Sequence, residues 1–327
     1  MPEREERPTQ AENESAPVKE QPEQAEQTEQ VPAEKTDAPA SEKTDEAAEQ
    51  SEAETPDEED EEIPVAKTYL EMALSSGVLP IEVRYTQINH PYRKIPIAYR
   101  SFTYLNSMIS GVVPPEKYTF AADATDSGLR LSKWNIISAM RAVRKFDEAG
   151  RRVHFITARC SPSLALEPDL YEWMQKLMEE NNFQKPERLC LEFPQSLLYE
   201  DAEQVRMSIL GMKLLKVKTL MSGCGANDCP VANLIDIPLD YVLISPKLTS
   251  MIGSRSRNQT VLSFFQFLRT LPVDIIADGV LNDDQISTLS RADCYGYMPA
   301  SNYNGSVMHG RLRMTLDEAT SQKEEEI

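Results

Sequence analysis

No aromatic residue occurs before Tyr69, and no uninterrupted apolar run approaches the roughly 18 residues that a membrane-spanning helix needs. The first absence denies the N-terminal stretch the anchors of a packed core, and the second excludes a helical span. Cysteine is sparse: Cys160, Cys190, Cys224, Cys229 and Cys294 make an odd set, which suits reduced, buried thiols better than a disulfide framework. Cys224 and Cys229 form C-x4-C, but no second pair and no nearby histidine completes a zinc site. His90, His154 and His309 stand alone, so core or surface packing is their expected use. There is no dinucleotide GxGxxG, no phosphate loop, and no basic patch interleaved with aromatics, which argues against nucleic acid as a partner.

Charge of one sign is concentrated rather than scarce. The chain carries 53 acids and 34 bases; 23 and five of them precede Ile63, leaving 30 and 29 in the remainder. Residues 1–62, built from Glu, Gln, Pro, Ala, Ser and Thr without apolar periodicity, cannot offset an ordering cost of roughly 1 to 2 kcal/mol per residue. They are expected to form a disordered acidic tail, either a solvated bristle or an arm that meets a partner. Residues 63–93 follow as a connecting segment, 94–312 as the folded domain, and 313–327 as a charged C-terminal tail. The charged amino terminus lacks an apolar signal-like stretch, and a cytoplasmic location is the expectation.

Within the folded part, segments alternate between strand and helix. Ile95–Tyr104 and Val153–Thr157 suit strands, and Leu131, Trp134, Ile137, Val143 and Phe146 recur at helical spacing before Gly150. Leu170, Trp173, Met174, Leu177 and Met178 share one helical face, a core stripe. Arg188–Phe193, Val217–Met221, Asp240–Ile244 and Val273–Ala277 suit strands, separated by helices over Ala202–Met212 and Val261–Leu271. Such alternation predicts an α/β fold, a closed (β/α)8-type barrel preceded by the tail. In that architecture residues at the carboxyl ends of strands face the ligand, which singles out Asp278, followed by Gly279 and the helical spacing of Ile286 and Leu289. The bland alternative for Asp278 is a turn or helix terminus.

Four runs, LCLEFPQS from Leu189, IPLDYVLIS from Ile237, ADGV from Ala277 and YGYMPA from Tyr295, come in the order and nearly the spacing of landmarks in a known family. Together with GVVPPEKYTFAADATDSGLRLSKWNIISAM upstream, they resemble the EAL domain, a family of bacterial phosphodiesterases acting on cyclic di-GMP through a modified (β/α)8 TIM-like barrel. The resemblance covers roughly Ile95 to Gly305. It implies hydrolysis assisted by two divalent cations, which polarise the phosphate, generate hydroxide from bound water, and require several carboxylates.

Position by position the resemblance implies a degenerate member. Counting back from Gly111, the signature Glu-Ala-Leu falls on Arg100, Ser101 and Phe102; a one-residue slip would put Tyr99 at the glutamate. The motif's phosphate-binding arginine falls on Tyr104, and the asparagine ligand of the next strand falls near Thr157. Glu192 matches a family glutamate. The paired loop aspartates, counted back from Pro238, fall on Ser222 and Gly223; the lysine that assists the attacking water falls on Leu243, and the aspartate after it on Ser245. Asp278 takes the place of a later glutamate, and Leu281 that of another. Arg100, Glu192 and Asp278 are therefore the residual ligand-facing positions. Arg100 either contacts a phosphate oxygen or pairs with Glu192 and closes the vacant site. Asp228 is a candidate replacement ligand. No catalytic residue, metal or cofactor is assigned.

The expected function is a catalytically inactive EAL-domain protein acting through a protein partner in cyclic di-GMP-related signalling. A non-hydrolysing cyclic di-GMP receptor is the alternative, and an active phosphodiesterase the third reading. A homodimer is compatible with the family, although the family's pairing region, here Gly223 to Leu234, departs from its pattern.

Overall fold

The computed structural model describes residues 81–107, 111–123, 125–226, 230–254, 256–304 and 313–321. The acidic stretch 1–62, Cys229, Asp228 and His309 lie outside the described residues. Nine strands form the sheet: β1 (Ile81–Asn89), β2 (Pro96–Ser107), β3 (Gly111–Val113), β4 (Ile156–Arg159), β5 (Leu189–Pro194), β6 (Lys218–Cys224), β7 (Tyr241–Ile244), β8 (Asp274–Val280) and β9 (Gly296–Pro299). Their order is β1-β9-β8-β7-β6-β5-β4-β2-β3, and β1 also pairs with β2, so eight strands close a ring. β2 and β4 through β9 run parallel; β1 is antiparallel to both its neighbours. β3 folds back on the far end of β2 as a short hairpin above the ring.

The described α-helices are α1 (Thr119–Asp123), α2 (Asp126–Glu148), α3 (Pro162–Ala165), α4 (Leu170–Glu180), α5 (Ala202–Leu214), α6 (Val231–Ile235), α7 (Pro246–Thr249), α8 (Asn258–Leu268), α9 (Asp283–Arg291) and α10 (Leu316–Ser321), with short 3-10 turns at Pro115–Lys117, Pro186–Arg188 and Gln195–Tyr199. The longer ones are amphipathic. On α2, Leu131, Ile136, Ala139, Met140, Val143 and Phe146 are buried, and Gly150 at φ +72° provides the left-handed stop. On α4, Leu170, Met174 and Leu177 are buried while Trp173 and Met178 pack at the margin of the core.

Two apolar layers follow from the alternation of side chains along each strand. Tyr99, Leu191, Met221, Val242, Ile275 and Tyr297 face outwards and pack under the helices. Ile88, Ala98, Phe155, Cys190, Leu220, Leu243, Ile276 and Met298 belong to a second cluster that fills the barrel interior. Burying a phenyl ring such as that of Phe155 contributes roughly 1.5 to 3 kcal/mol, and this packing makes the barrel a solid platform rather than a pore.

Several boundaries differ from those expected. Ile81–Asn89, assigned to the connecting segment by sequence, is the first barrel strand, paired along its length with β2. Polar residues inside it, Arg84, Thr86 and Gln87, hide its apolar alternation. The expected C-terminal tail contains α10, with Met314 and Ala319 buried; a Thr315–Glu318 capping box starts that helix within the acidic text. β4 begins at Ile156, three residues after Val153. Asp278 and Gly279 lie inside β8, at an irregularity between Ala277 and Val280, with Gly279 at φ +77°. Asp278 does not cap the following helix; the Asn282 side chain does, accepting from the Gln285 amide.

Candidate functional site

Inward-facing positions recur every second residue, so each strand that fills the lumen also presents a side chain one step nearer its carboxyl end. After Ala98 comes Arg100, after Cys190 comes Glu192, and after Ile276 comes Asp278. The three meet at the mouth. Arg100 Nε and Nη2 donate to the two oxygens of Glu192 at 2.9 and 2.6 Å, and Nη1 donates to Asp278 Oδ2 at 3.0 Å. One guanidinium thus joins β2 to both β5 and β8 in a fork that matches carboxylate geometry.

Burial sets the electrostatics. Glu192 is 4% exposed, and burial alone would raise its carboxyl; the facing guanidinium more than offsets this, so the group stays below its ordinary value and ionised. Asp278 shares the same cation, but there burial prevails and its carboxyl is raised. Burial also works against the charge on Arg100, and the two carboxylates outweigh it and raise its affinity for the proton.

The other positions singled out from the sequence add no carboxylate to this cluster. Ser222 Oγ donates to the Phe193 carbonyl at 3.4 Å and lies beside Glu192, while Gly223 takes φ +84°. Leu243 is buried in the lumen cluster. Ser245 caps α7, its Oγ accepting from the Leu248 amide. Thr157 ties β4 to β2: its Oγ1 accepts from the Ser101 amide at 3.1 Å, and Ser101 Oγ donates to the Thr157 carbonyl at 2.6 Å. Tyr104 lies farther out, its ring under Arg84 at 4.6 Å and its hydroxyl accepting from Arg313.

Beside the cluster opens a cavity of about 210 Å³, lined among others by Arg100, Phe102, Glu116, Tyr118, Arg159, Glu192 and Ser222. Sequence reasoning missed two features in and beside it. Arg159 ends β4 and pairs with Asp123 at the end of α1, 2.5 Å apart; burial raises the Asp123 carboxyl to about 6 against the pull of Arg159. Arg159 follows the same strand-end rule that singled out Asp278, so its signal was present. Arg313, placed in a tail, gave no signal: its guanidinium lies 4.3 Å from the Phe102 ring centroid and pairs with Glu116. The isolated histidines are far from this site in role. His90 Nδ1 accepts from the Tyr92 amide, and His154 Nδ1 meets the Tyr295 hydroxyl.

Among the described residues no group of three His, Cys, Asp or Glu side chains is arranged to hold a metal ion, and no helix is long and apolar enough to cross a membrane. Cys160, Cys190, Cys224 and Cys294 are buried thiols outside any disulfide.

The chain has relatives among known proteins. It is 25% identical over 187 residues to an uncharacterized signaling protein of Caulobacter vibrioides, a match covering 56% of this chain and 22% of that protein, so it spans under a quarter of that relative's length. Its fold is similar to the PaMucR phosphodiesterase solved in complex with c-di-GMP, with a TM-score of 0.67 at 18% identity, covering 78% of this chain and 99% of that one. It is similar also to the FimX EAL domain of Pseudomonas aeruginosa bound to c-di-GMP, with a TM-score of 0.61 at 15% identity over 72% and 93% of the two chains. The family model described as EAL domain matches residues 81–298, from the first barrel strand into the last, and the chain belongs to that family.

Proposed function

We propose that this EAL domain serves cyclic di-GMP signalling without hydrolysing the dinucleotide, and that it acts by binding a protein partner. The observation that carries the reading is the position of Arg100, whose guanidinium engages both oxygens of Glu192 and one of Asp278. Two divalent cations need several uncommitted carboxylates at the strand ends. Here the donor set does not fit them: both carboxylates are held by a fixed cation, and Tyr104, Ser222, Gly223, Leu243 and Ser245 supply no others. At an effective dielectric of 20, like unit charges at 4 Å repel by about 4 kcal/mol, so a divalent ion beside Arg100 meets about twice that.

A protein partner is favoured over the dinucleotide by the size of the mouth. The adjoining cavity of about 210 Å³ is smaller than the roughly 300–1,000 Å³ typical of small-molecule sites. The residual positions Arg100, Glu192 and Asp278 also satisfy one another, so a phosphate must compete with two carboxylates for the same guanidinium. The receptor reading draws on the neighbours solved with c-di-GMP.

Incubation of the full chain with cyclic di-GMP and magnesium or manganese is expected to yield no linear dinucleotide. Product formed at a rate that Glu192→Gln abolishes would overturn the reading. Calorimetric titration with cyclic di-GMP separates the other two: no heat supports the partner-binding role, and micromolar or tighter binding establishes a receptor.

A further inference from the structure

Among the described residues β1 pairs with β9 only at Asn89, against Tyr297, and no other strand of the ring pairs with the upper half of β1 on that side. The C-terminal segment fills this edge at one point. Met314 bridges Tyr85 with both backbone hydrogen bonds, at 2.7 and 2.9 Å. Behind the bridge, α10 is fastened to the outside of the barrel: the Arg151 guanidinium donates to the Ala319 carbonyl, and Lys145 pairs with Asp317. Met314 is buried in the outer core. In an extended segment the preceding side chain points the other way. Arg313 accordingly lies over the mouth, against Phe102 and Tyr104 on β2, and reaches Glu116 on the loop before α1.

We propose that the segment Arg313–Ser321 is a latch, with Arg313 and Glu116 closing the barrel mouth over Phe102 while α10 holds the latch from outside. This deepens the reading of a mouth that does no chemistry by naming what shuts it. Phe102 and Glu116 line the same cavity as Ser222, Arg100 and Glu192, so the contact spans the approach to the ion-pair cluster. Arg100 also stacks on Phe102, at 4.8 Å, so the latch and the cluster share one ring. The pairs of Arg100 with its two carboxylates involve no atom of Arg313.

Thiol labelling tests this on the full chain. Ser222→Cys places a reporter in the cavity, while Cys160, Cys190, Cys224 and Cys294 are buried; the parent chain gives their background together with that of Cys229. A bulky maleimide is expected to label the Ser222→Cys protein slowly, and about tenfold faster once Arg313→Ala is added. Lys176→Ala, which removes only an exposed pair with Glu180 within α4 and none of the latch contacts, should leave the rate unchanged. If Arg313→Ala does not fold, Glu116→Gln removes the latch partner and should accelerate labelling in the same direction. Equal rates with and without Arg313 would overturn the latch, as would acceleration by Lys176→Ala equal to that by Arg313→Ala. Either result leaves the hydrolysis assay, and the reading it tests, untouched.

Discussion

Replacing Arg100 by methionine keeps much of the side chain's length and removes the one cation that Glu192 and Asp278 share. Breaking a buried ion pair from one side costs about 3–5 kcal/mol, because it strands the partner's charge. The lower end applies here, since the Asp278 side chain is 21% exposed and can recover some hydration. For a domain of this size each kcal/mol moves the melting midpoint by about 2–4 °C, so a loss of about 3 kcal/mol lowers it by about 6–12 °C. The pH dependence makes the test specific. In the parent, the depressed Glu192 carboxyl contributes stability above its unfolded value and loses it as pH falls through the folded value. In Arg100→Met, burial acts unopposed and raises both carboxyls, so the folded variant holds protons that the unfolded chain has released. Its stability then falls as pH rises, and the deficit against the parent should be markedly larger at about pH 8 than at about pH 5. Paired thermal melts across that range are the assay. A deficit independent of pH would refute the coupling of these carboxylates to Arg100.

Asp123 offers a second titration of the opposite kind. Its folded value, raised to about 6, gives stability that is present below the unfolded value and is lost as pH rises through about 6. Asn resembles the protonated acid, so the parent should lose stability relative to Asp123→Asn between about pH 5 and about pH 7.5 in urea titrations; a relative gain over that range would contradict the burial of this group. A ligand that binds the folded state raises the midpoint by mass action. In the reading proposed here neither magnesium nor a chelator should shift it, and a rise with magnesium that Glu192→Gln removes would show that the mouth holds the ion.

The alternation of strands and helices was legible because most barrel strands are short apolar runs flanked by amphipathic helices, and because inward and outward positions are both apolar. β1 was hidden for the opposite reason. Its buried positions include Thr86, Gln87 and Asn89, which satisfy neither a clean period of two nor an apolar run. At the site, Asp278 was found by its place at a strand end, Arg100 and Glu192 by the family resemblance, and the pairing of Arg100 with Glu192 was one of two options left open. The joint hold of Arg100 on Asp278 required the ring to close, since β2 and β8 are far apart in the chain and meet only across the mouth. Arg313 was invisible because a single bridge to Tyr85 positions it, and one residue of pairing leaves no periodicity to detect.

A carboxylate buried as deeply as Glu192 has three ways to remain ionised: water, a bound cation, or a fixed one. At 4% exposure water is insufficient, and a bound cation ties the barrel to the supply of that ion. Arg100 is attached to β2, so it neutralises Glu192 and binds Asp278 with no loss of translational freedom and no dependence on solution composition. The same guanidinium that opposes a divalent cluster therefore fastens three strands at the mouth of the barrel. The absence of carboxylates at Ser222 and Ser245 fits this arrangement, because one further unpaired acid at the mouth would compete for a cation already shared by two. In this reading what the mouth gave up in chemistry it retained as structure, with the partner's contacts left to the outer surface.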